Sequence, residues 1–450
     1  MKIISTANEA VLEILEKFKK HSDQYRRIYY IAEEVTEDGI LLFNLLTREL
    51  ILLTEEEYNR IKDLDYLKDR WFLVPEGTNE KELVSLVRWV LSTRQKKQGH
   101  ITGYTIFTTT DCNARCFYCF ELGRSRIPMS EETAYKTAKY ICDHCGGENV
   151  NISWFGGEPL FNSKAIDIIC DELRKAGVEF RASATTNGYL LDEKTVEKAV
   201  KSWNLKRVQI TLDGTEKVYN KIKAYIYKDT NPYQIVMDNI GHLLNADVTV
   251  QIRLNMDLNN AENLLELVDE LAKRFPDHKR LYIYARHIFK SDKPLADIHT
   301  KQEWEKHDRA MRLLNERIVQ NGLARKGGIK KEFRLHYCMA DSGQAVTVLP
   351  NGEIGLCEHY TESEFIGHLD GDRFDETVIK RWRETIPEIP ECDTCFYYPE
   401  CILLKMCSNC SVCFQQERER FLDETKLAMV NEYKKWLMQM STEESDDNLC

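Results

Sequence analysis

Apolar positions along this chain fall into two alternating patterns. Short runs with every residue or every second residue apolar predict strands, and longer stretches with apolar residues three and four apart predict helices. Near the N-terminus, Arg27-Ile-Tyr-Tyr-Ile-Ala, Gly39-Ile-Leu-Leu-Phe-Asn and Glu49-Leu-Ile-Leu-Leu predict three strands joined by tight turns. Thr54 with Glu57 three residues on forms a capping-box signal for a helix, and residues 80–93 predict another. From about residue 101 strands and helices alternate. Strands are expected at 104–109, 151–155, 180–185, 208–212, 248–254 and 281–285, with helical segments between them, and six such units imply a parallel sheet with right-handed crossovers. A long helix is expected at 301–320. The tail from Phe414 predicts a helix carrying Phe421, Leu427, Val430 and Trp436, followed by an acidic disordered end at 441–448.

Composition narrows the class. A chain of 450 residues that is 43% hydrophobic can bury a large core, and its length suggests two to four domains. It has no run of eighteen apolar residues, and its N-terminus lacks the apolar core and cleavage site of a signal peptide, so a soluble cytoplasmic protein with no membrane partner is expected. A net charge of -11 and a pI near 5.6 argue against a nucleic-acid partner, which calls for a basic face. In a reducing compartment the fifteen cysteines read as metal ligands before disulfides.

The cysteines are clustered. Cys112-x3-Cys116-x2-Cys119 gathers three thiols directly after the first strand of the alternating region. Soft thiolates suit iron-sulfur clusters, and three of them fill three corners of a [4Fe-4S] cube and leave the fourth iron open. The competing reading is a zinc knuckle, which needs four closed ligands. Cys142, Cys145, Cys170 and Cys450 read as incidental, the first three as small hydrophobes on helices. Farther on, Cys338, Cys357, Cys392, Cys395, Cys401, Cys407, Cys410 and Cys413 place eight thiols in 76 residues, and Cys392-x2-Cys395 with Cys410-x2-Cys413 leaves a zinc ribbon open as an alternative. Three further motifs fall at expected strand ends, where ligands of parallel sheets bind: Gly156-Gly157-Glu158-Pro159, Thr185-Thr186-Asn187-Gly188 and Gln209-Ile-Thr211-Leu-Asp213-Gly214.

The first cysteine motif, with the aromatic Tyr118 just before its third cysteine, resembles the radical S-adenosylmethionine (radical SAM) enzymes. That resemblance covers about residues 101–413 and implies a partial (β/α)6 TIM-like barrel. Gly156, Gly157 and Glu158 then resemble the family's GGE motif, which binds the amino group of the cofactor's methionine part. Asn187, Thr211, Lys223 and Arg253 become candidates for its ribose and carboxylate. Thr211 stands for a serine of the family pattern and Lys223 for an arginine, and lysine lacks the planar fork that grips a carboxylate twice. Cys338-x13-Gly352-x4-Cys357 followed by Cys392-x2-Cys395-x5-Cys401 resembles the C-terminal SPASM domain, with a departure at Lys405, where the pattern expects cysteine. The resemblance implies two auxiliary [4Fe-4S] clusters besides the radical one. Cys338, Cys357 and Cys407 would hold the nearer, and Cys392, Cys395, Cys401 and either Cys413 or Cys410 the farther.

The fold class implied is α/β. It comprises an N-terminal winged-helix-like α+β module (1–95), the barrel (96–290), a helical bridge (291–335), the SPASM domain (336–415) and a C-terminal helix with its tail (416–450). The resemblance implies one-electron cleavage of S-adenosylmethionine to a 5′-deoxyadenosyl radical that takes hydrogen from substrate. A reducing partner such as flavodoxin or ferredoxin is implied with it. Winged modules of this kind resemble those that add a leader peptide to a sheet edge, so the expected substrate is a ribosomally made precursor peptide and the expected product a thioether or carbon-carbon cross-link. Two alternatives stay open. One is an anaerobic sulfatase maturase making formylglycine, whose aspartate base after the second auxiliary cysteine corresponds to Glu358 here. The other is an electron-transfer protein, which would have no use for a cofactor-amine site.

Overall fold

The computed structural model describes residues 1–95, 99–119, 121–276, 279–288, 301–325, 327–336, 338–359, 364–371, 374–383, 388–401 and 415–447. The chain divides into two compact units, one of residues 1–98, 326–338 and 384–450 and the other of 99–325 and 339–383. The segment 336–415, expected as a single cysteine-rich domain, is thus shared between them.

The first unit opens with β1 (Lys2–Ser5), α1 (Glu9–Glu16), β2 (Tyr25–Arg27), β3 (Ile31–Thr36), β4 (Gly39–Asn44) and β5 (Glu49–Leu53). It continues with α2 (Glu55–Asn59), α3 (Asp65–Asp69), β6 (Leu73–Pro75) and α4 (Glu80–Gln95). β1, β5, β4 and β3 form an antiparallel sheet in that order, and β2 pairs with β6. The run Arg27–Ala32, expected as one strand, is split: Arg27 pairs with Leu73 and Ile28 donates to the Phe72 carbonyl, so the chain joins the main sheet only from Ile31. β4 and β5 are apolar at nearly every position because both faces are covered. Leu41, Phe43, Leu50 and Leu52 pack with Val11, Leu15, Val84 and Val87, while Ile40, Leu42, Ile51 and Leu53 pack with Leu67 and Phe72. The capping box forms as read, with Glu57 N–H donating to Thr54 Oγ1 and Thr54 N–H to Glu57 Oε2.

The second unit runs β7 (Gly103–Thr109), α5 (Glu131–His144), β8 (Val150–Gly156), α6 (Ser163–Lys175), β9 (Phe180–Thr186), α7 (Glu193–Ser202) and β10 (Leu205–Leu212). Next come α8 (Glu216–Lys223), α9 (Pro232–Asn245), β11 (Thr249–Met256), α10 (Ala261–Arg274), β12 (Leu281–His287) and α11 (Lys301–Gln320). It closes with α12 (Met339–Ser342), β13 (Ala345–Val348), β14 (Glu353–Gly355), β15 (Phe365–His368) and α13 (Glu376–Arg383). Its sheet has the order β12-β11-β10-β9-β8-β7-β13-β14-β15. The first seven of these strands are parallel and the last two add as antiparallel hairpins. The six expected strand-helix units are all present, so the fold is an α/β partial barrel. Side chains alternate along its strands: Val208, Ile210 and Leu212 are fully buried, while Gln209 and Thr211 on the other face are half-buried. Gly352, at φ 92°, turns the β13–β14 hairpin that leads into Cys357, and a Cβ there would lie 2.8 Å from His368 Nε2. The tail forms α14 (Gln415–Asp447), which packs Phe421, Met429 and Tyr433 into the core of the first unit. The acidic stretch from residue 441, expected to be disordered, continues this helix to Asp447. No helix among the described residues is long and apolar enough to cross a membrane.

Candidate functional site

Cys112, Cys116 and Cys119 sit in the loop that leaves the carboxyl end of β7, each half-buried. The loop has almost no regular structure of its own and is held by its neighbours. Arg115 N–H donates to the Lys223 carbonyl at 2.8 Å, Ile226 N–H to the Asn113 carbonyl at 2.9 Å, and Asn187 Nδ2 to Asn113 Oδ1 at 2.6 Å. Donors also face sulfur: Ala114 N–H lies 3.3 Å and Asn187 Nδ2 3.8 Å from Cys112 Sγ. Burial pushes the Cys112 thiol up to about 12 and raises Cys116 and Cys119 as well, while the Lys223 ammonium draws both of the latter down. Among the described residues no three His, Cys, Asp or Glu side chains converge on a point that one metal ion could occupy. The ligands of a cube bind separate irons and need not converge. Three soft thiols with N–H donors beside the sulfur are a donor set that fits a [4Fe-4S] cube.

Tyr118 anchors the third cysteine to the barrel. Its hydroxyl donates to Asp213 (2.8 and 2.9 Å) and accepts from Lys223 Nζ (3.1 Å) and Asn255 Nδ2 (3.0 Å). Lys223 Nζ also meets Asp213 Oδ2 at 3.1 Å and Thr211 Oγ1 at 2.6 Å, and Asn255 Nδ2 reaches Asp213 Oδ1 at 3.1 Å. Asp213 is fully buried and Lys223 is 2% exposed. Lys223, a candidate for the cofactor's carboxylate, has its partners within the chain. An ammonium has three donors, and Asp213, Thr211 and Tyr118 take all of them, so Lys223 acts on the cysteine loop. Asp213, the carboxylate opposite Lys223, keeps the lysine charged and raises its pKa against the opposing effect of burial. Asn255 and Asn260 were not singled out from the sequence. Asn260 Nδ2 donates to the Asp213 and Asn255 carbonyls at 2.9 and 2.8 Å, and the available signal was an asparagine closing the otherwise apolar end of β11.

The Gly156-Gly157-Glu158 turn follows β8. Its glycines let the backbone approach the cysteine loop closely. Gly156 has φ 124°, and a Cβ there would lie 2.1 Å from the Thr109 carbonyl oxygen; one on Gly157 would lie 2.4 Å from that of Asp111. Gly157 N–H donates to Thr109 O and Glu158 N–H to Asp111 O. The Glu158 carboxylate is fully buried and accepts from Thr186 Oγ1 (2.7 Å), Asn187 N–H (2.8 Å) and Leu160 N–H (3.2 Å). Burial outweighs these donors and raises its pKa to about 7. Glu158 therefore ties the ends of β8 and β9 together. Oε2 takes a single donor, which leaves it room for another.

Arg253 is paired in register with Thr211 across β10 and β11, and its guanidinium acts on Tyr284 and His359. Glu358 lies between Cys357 and His359 after β14, and its charge acts on His359 along with those of Arg253 and Arg124. The structure thus gathers Cys112, Tyr118, Glu158, Asn187, Thr211 and Lys223 into one connected set and puts Arg253 with Glu358 in another. Cys338 falls in the first unit and Cys357 in the second. Cys392, Cys395 and Cys401 pack against the core of the first unit. The expected ligands Cys407, Cys410 and Cys413 lie outside the described residues.

Residues 106–273 match the Radical SAM superfamily. A probable GTP 3',8-cyclase of Archaeoglobus fulgidus is 24% identical over 306 residues, which cover 64% of this chain and 96% of that protein. A radical SAM cyclopropyl synthase of Paramaledivibacter caminithermalis is 22% identical over 302 residues, covering 57% of this chain and 63% of its own. Other curated relatives are matched over 37–49% of their length. Among solved structures, anSMEcpe with bound AdoMet superposes with a TM-score of 0.54 at 16% identity, covering 74% of this chain and 99% of that one, a likeness of fold.

Proposed function

We propose that this radical SAM domain serves a peptide maturase that acts on a leader-bearing, ribosomally made precursor and cross-links it through a thioether or carbon-carbon bond. The observation that carries the radical chemistry is the three-thiol loop at the end of β7, flanked by the Gly-Gly-Glu turn of the next strand. Cys112, Cys116 and Cys119 would hold the cube, which with S-adenosylmethionine supplies a 5′-deoxyadenosyl radical when bound. The chain's own residues position and exclude. Asn187 and the Ala114 amide aim donors at sulfur, Tyr118 fixes the loop, and Glu158 would take the cofactor ammonium. The half-buried face bearing Gln209, Thr211 and Arg253 would receive substrate, with Glu358 as the acid-base candidate. Cys392, Cys395 and Cys401, all in the first unit, are the candidate ligands of an auxiliary cluster.

The peptide reading rests on the first unit. β3 ends its sheet with no further strand beside it among the described residues, and a groove of about 560 Å³ runs along it. Ile31 and Val35 of the strand line this groove with Phe396 and Leu422, and Arg27, Glu33, Glu34 and Lys426 supply its polar positions. An edge of this kind can accept a peptide as one more strand. The test is to incubate the anaerobically reconstituted enzyme with S-adenosylmethionine, a reductant and leader-bearing peptides encoded beside its gene. The expected result is a loss of two hydrogens from the peptide by mass spectrometry. In Val35→Lys, whose side chain is 72% exposed in the wild type, peptide KM should rise roughly tenfold while cofactor cleavage without peptide is unchanged. Turnover of GTP with no change to any peptide would overturn the proposal.

A further inference from the structure

The loop Glu388–Cys401 carries three cysteines but little structure of its own, only two short 3-10 turns at Pro390–Thr394 and Tyr398–Glu400. It is also acidic, with Glu388, Glu391, Asp393 and Glu400 among its residues. Thiolates added to these carboxylates would make the loop repel itself unless cations faced it. Three cations of the N-terminal module do so. Lys81 Nζ lies 2.7 Å from Glu388 and 2.5 Å from Asp393, Arg88 donates to the Pro399 carbonyl at 2.5 Å, and Arg48 pairs with Glu400. Arg48 is 5% exposed and also donates to the Lys330 carbonyl at 2.9 Å. Packing follows the same contacts. Tyr398 stacks on Tyr30 with centroids 6.1 Å apart and planes at 13°, and its hydroxyl donates to Glu388 at 2.6 Å.

We infer that residues 1–95 are a structural half of the farther auxiliary-cluster site, with Lys81, Arg48 and Arg88 as positioning residues that hold Cys392, Cys395 and Cys401 in register. This rests on the reading that those cysteines bind an iron-sulfur cluster. The module assigned to peptide docking would then have a second function, and the same loop contributes Phe396 to the groove beside β3. An enzyme without the module would lose iron as well as peptide recognition.

The test compares iron content and the electron paramagnetic resonance spectrum of the reduced full-length protein. Cys392→Ala with Cys395→Ala should remove about four irons per chain. Lys81→Glu should remove the same irons and the same spectral component. Lys81→Arg should restore them, and cleavage of S-adenosylmethionine without peptide should persist in both Lys81 variants. Lys81 is partly exposed and replaceable without unfolding the chain, and its melting temperature in each variant checks this. If the cysteine variants lose iron while Lys81→Glu and Arg48→Met keep it all, the positioning role is wrong. If the cysteine variants lose none, the cluster reading fails and the inference falls with it.

Discussion

Two cysteine loops in this chain are held by basic side chains, but in opposite surroundings. The loop at 112–119 is fastened from within the barrel, where Lys223 and Asp213 are 2% and 0% exposed and Tyr118 bridges them to the third cysteine. The loop at 388–401 is fastened from outside, in part by Lys81, whose side chain keeps 31% of its surface in water. A buried ion pair interacts strongly, and breaking it leaves an uncompensated charge; a partly solvated pair is weak and screened by salt. The first loop is therefore held rigidly, whereas the second combines one buried pair, Arg48 with Glu400, and weaker, adjustable contacts at Lys81.

The largest effect is expected from Asp213→Ala, which strands the Lys223 ammonium in the barrel and removes the acceptor of Tyr118. A destabilisation of roughly 3 to 5 kcal/mol should appear in the urea midpoint, with loss of iron from the first loop. The double variant Lys223→Met with Asp213→Leu should recover most of the stability but not the iron, because Tyr118 keeps only Asn255 of its partners. A double variant as unstable as Asp213→Ala would show that the pair's charge is not what matters.

Glu158 supplies a pH-dependent contrast. Its folded pKa is raised to about 7 against 4.5 for an ordinary glutamate, so the folded chain holds this proton more tightly than the unfolded one. The stability it contributes is complete below about pH 4.5 and declines as the pH rises to about 7, by about 3 kcal/mol in all. Measured on iron-free protein, Glu158→Gln should flatten that slope. It should also weaken binding of S-adenosylmethionine by the holoenzyme roughly tenfold to a hundredfold, through loss of a charge-assisted hydrogen bond. An unchanged slope would mean that the carboxylate is ionised when buried.

The smallest effect on stability is expected at the outer loop. Lys81→Met should change the unfolding free energy by no more than about 1 kcal/mol, and roughly 1 M salt should erase the difference from wild type. A salt-independent loss of several kcal/mol would make the outer loop as rigid as the inner one and end the contrast.

The barrel could be read from the sequence because its signals are local. Apolar runs, the Cys-x3-Cys-x2-Cys spacing and glycines at strand ends each act within a few residues. The structure revealed partnerships between distant positions. Lys223 resembled a ligand-facing residue because it stands at the family's arginine position, and only the fold shows Asp213, Thr211 and Tyr118 taking its three donors. Only the fold shows that Gly156 and Gly157 lie against the Thr109 and Asp111 carbonyls. The run Arg27–Ala32 looked like one strand because periodicity cannot show that Arg27 belongs to a second, smaller sheet. The contacts of Lys81 and Arg48 with residues more than 300 positions away leave no local trace.

The central claim is that Cys112, Cys116 and Cys119 hold the cluster on which cofactor cleavage depends. The direct measurement is iron content and 5′-deoxyadenosine formation in the triple alanine variant, reconstituted and reduced beside the wild type. The account predicts about twelve irons in the wild type and about eight in the variant, with 5′-deoxyadenosine abolished. An unchanged iron count, or continued cleavage of S-adenosylmethionine, would contradict it.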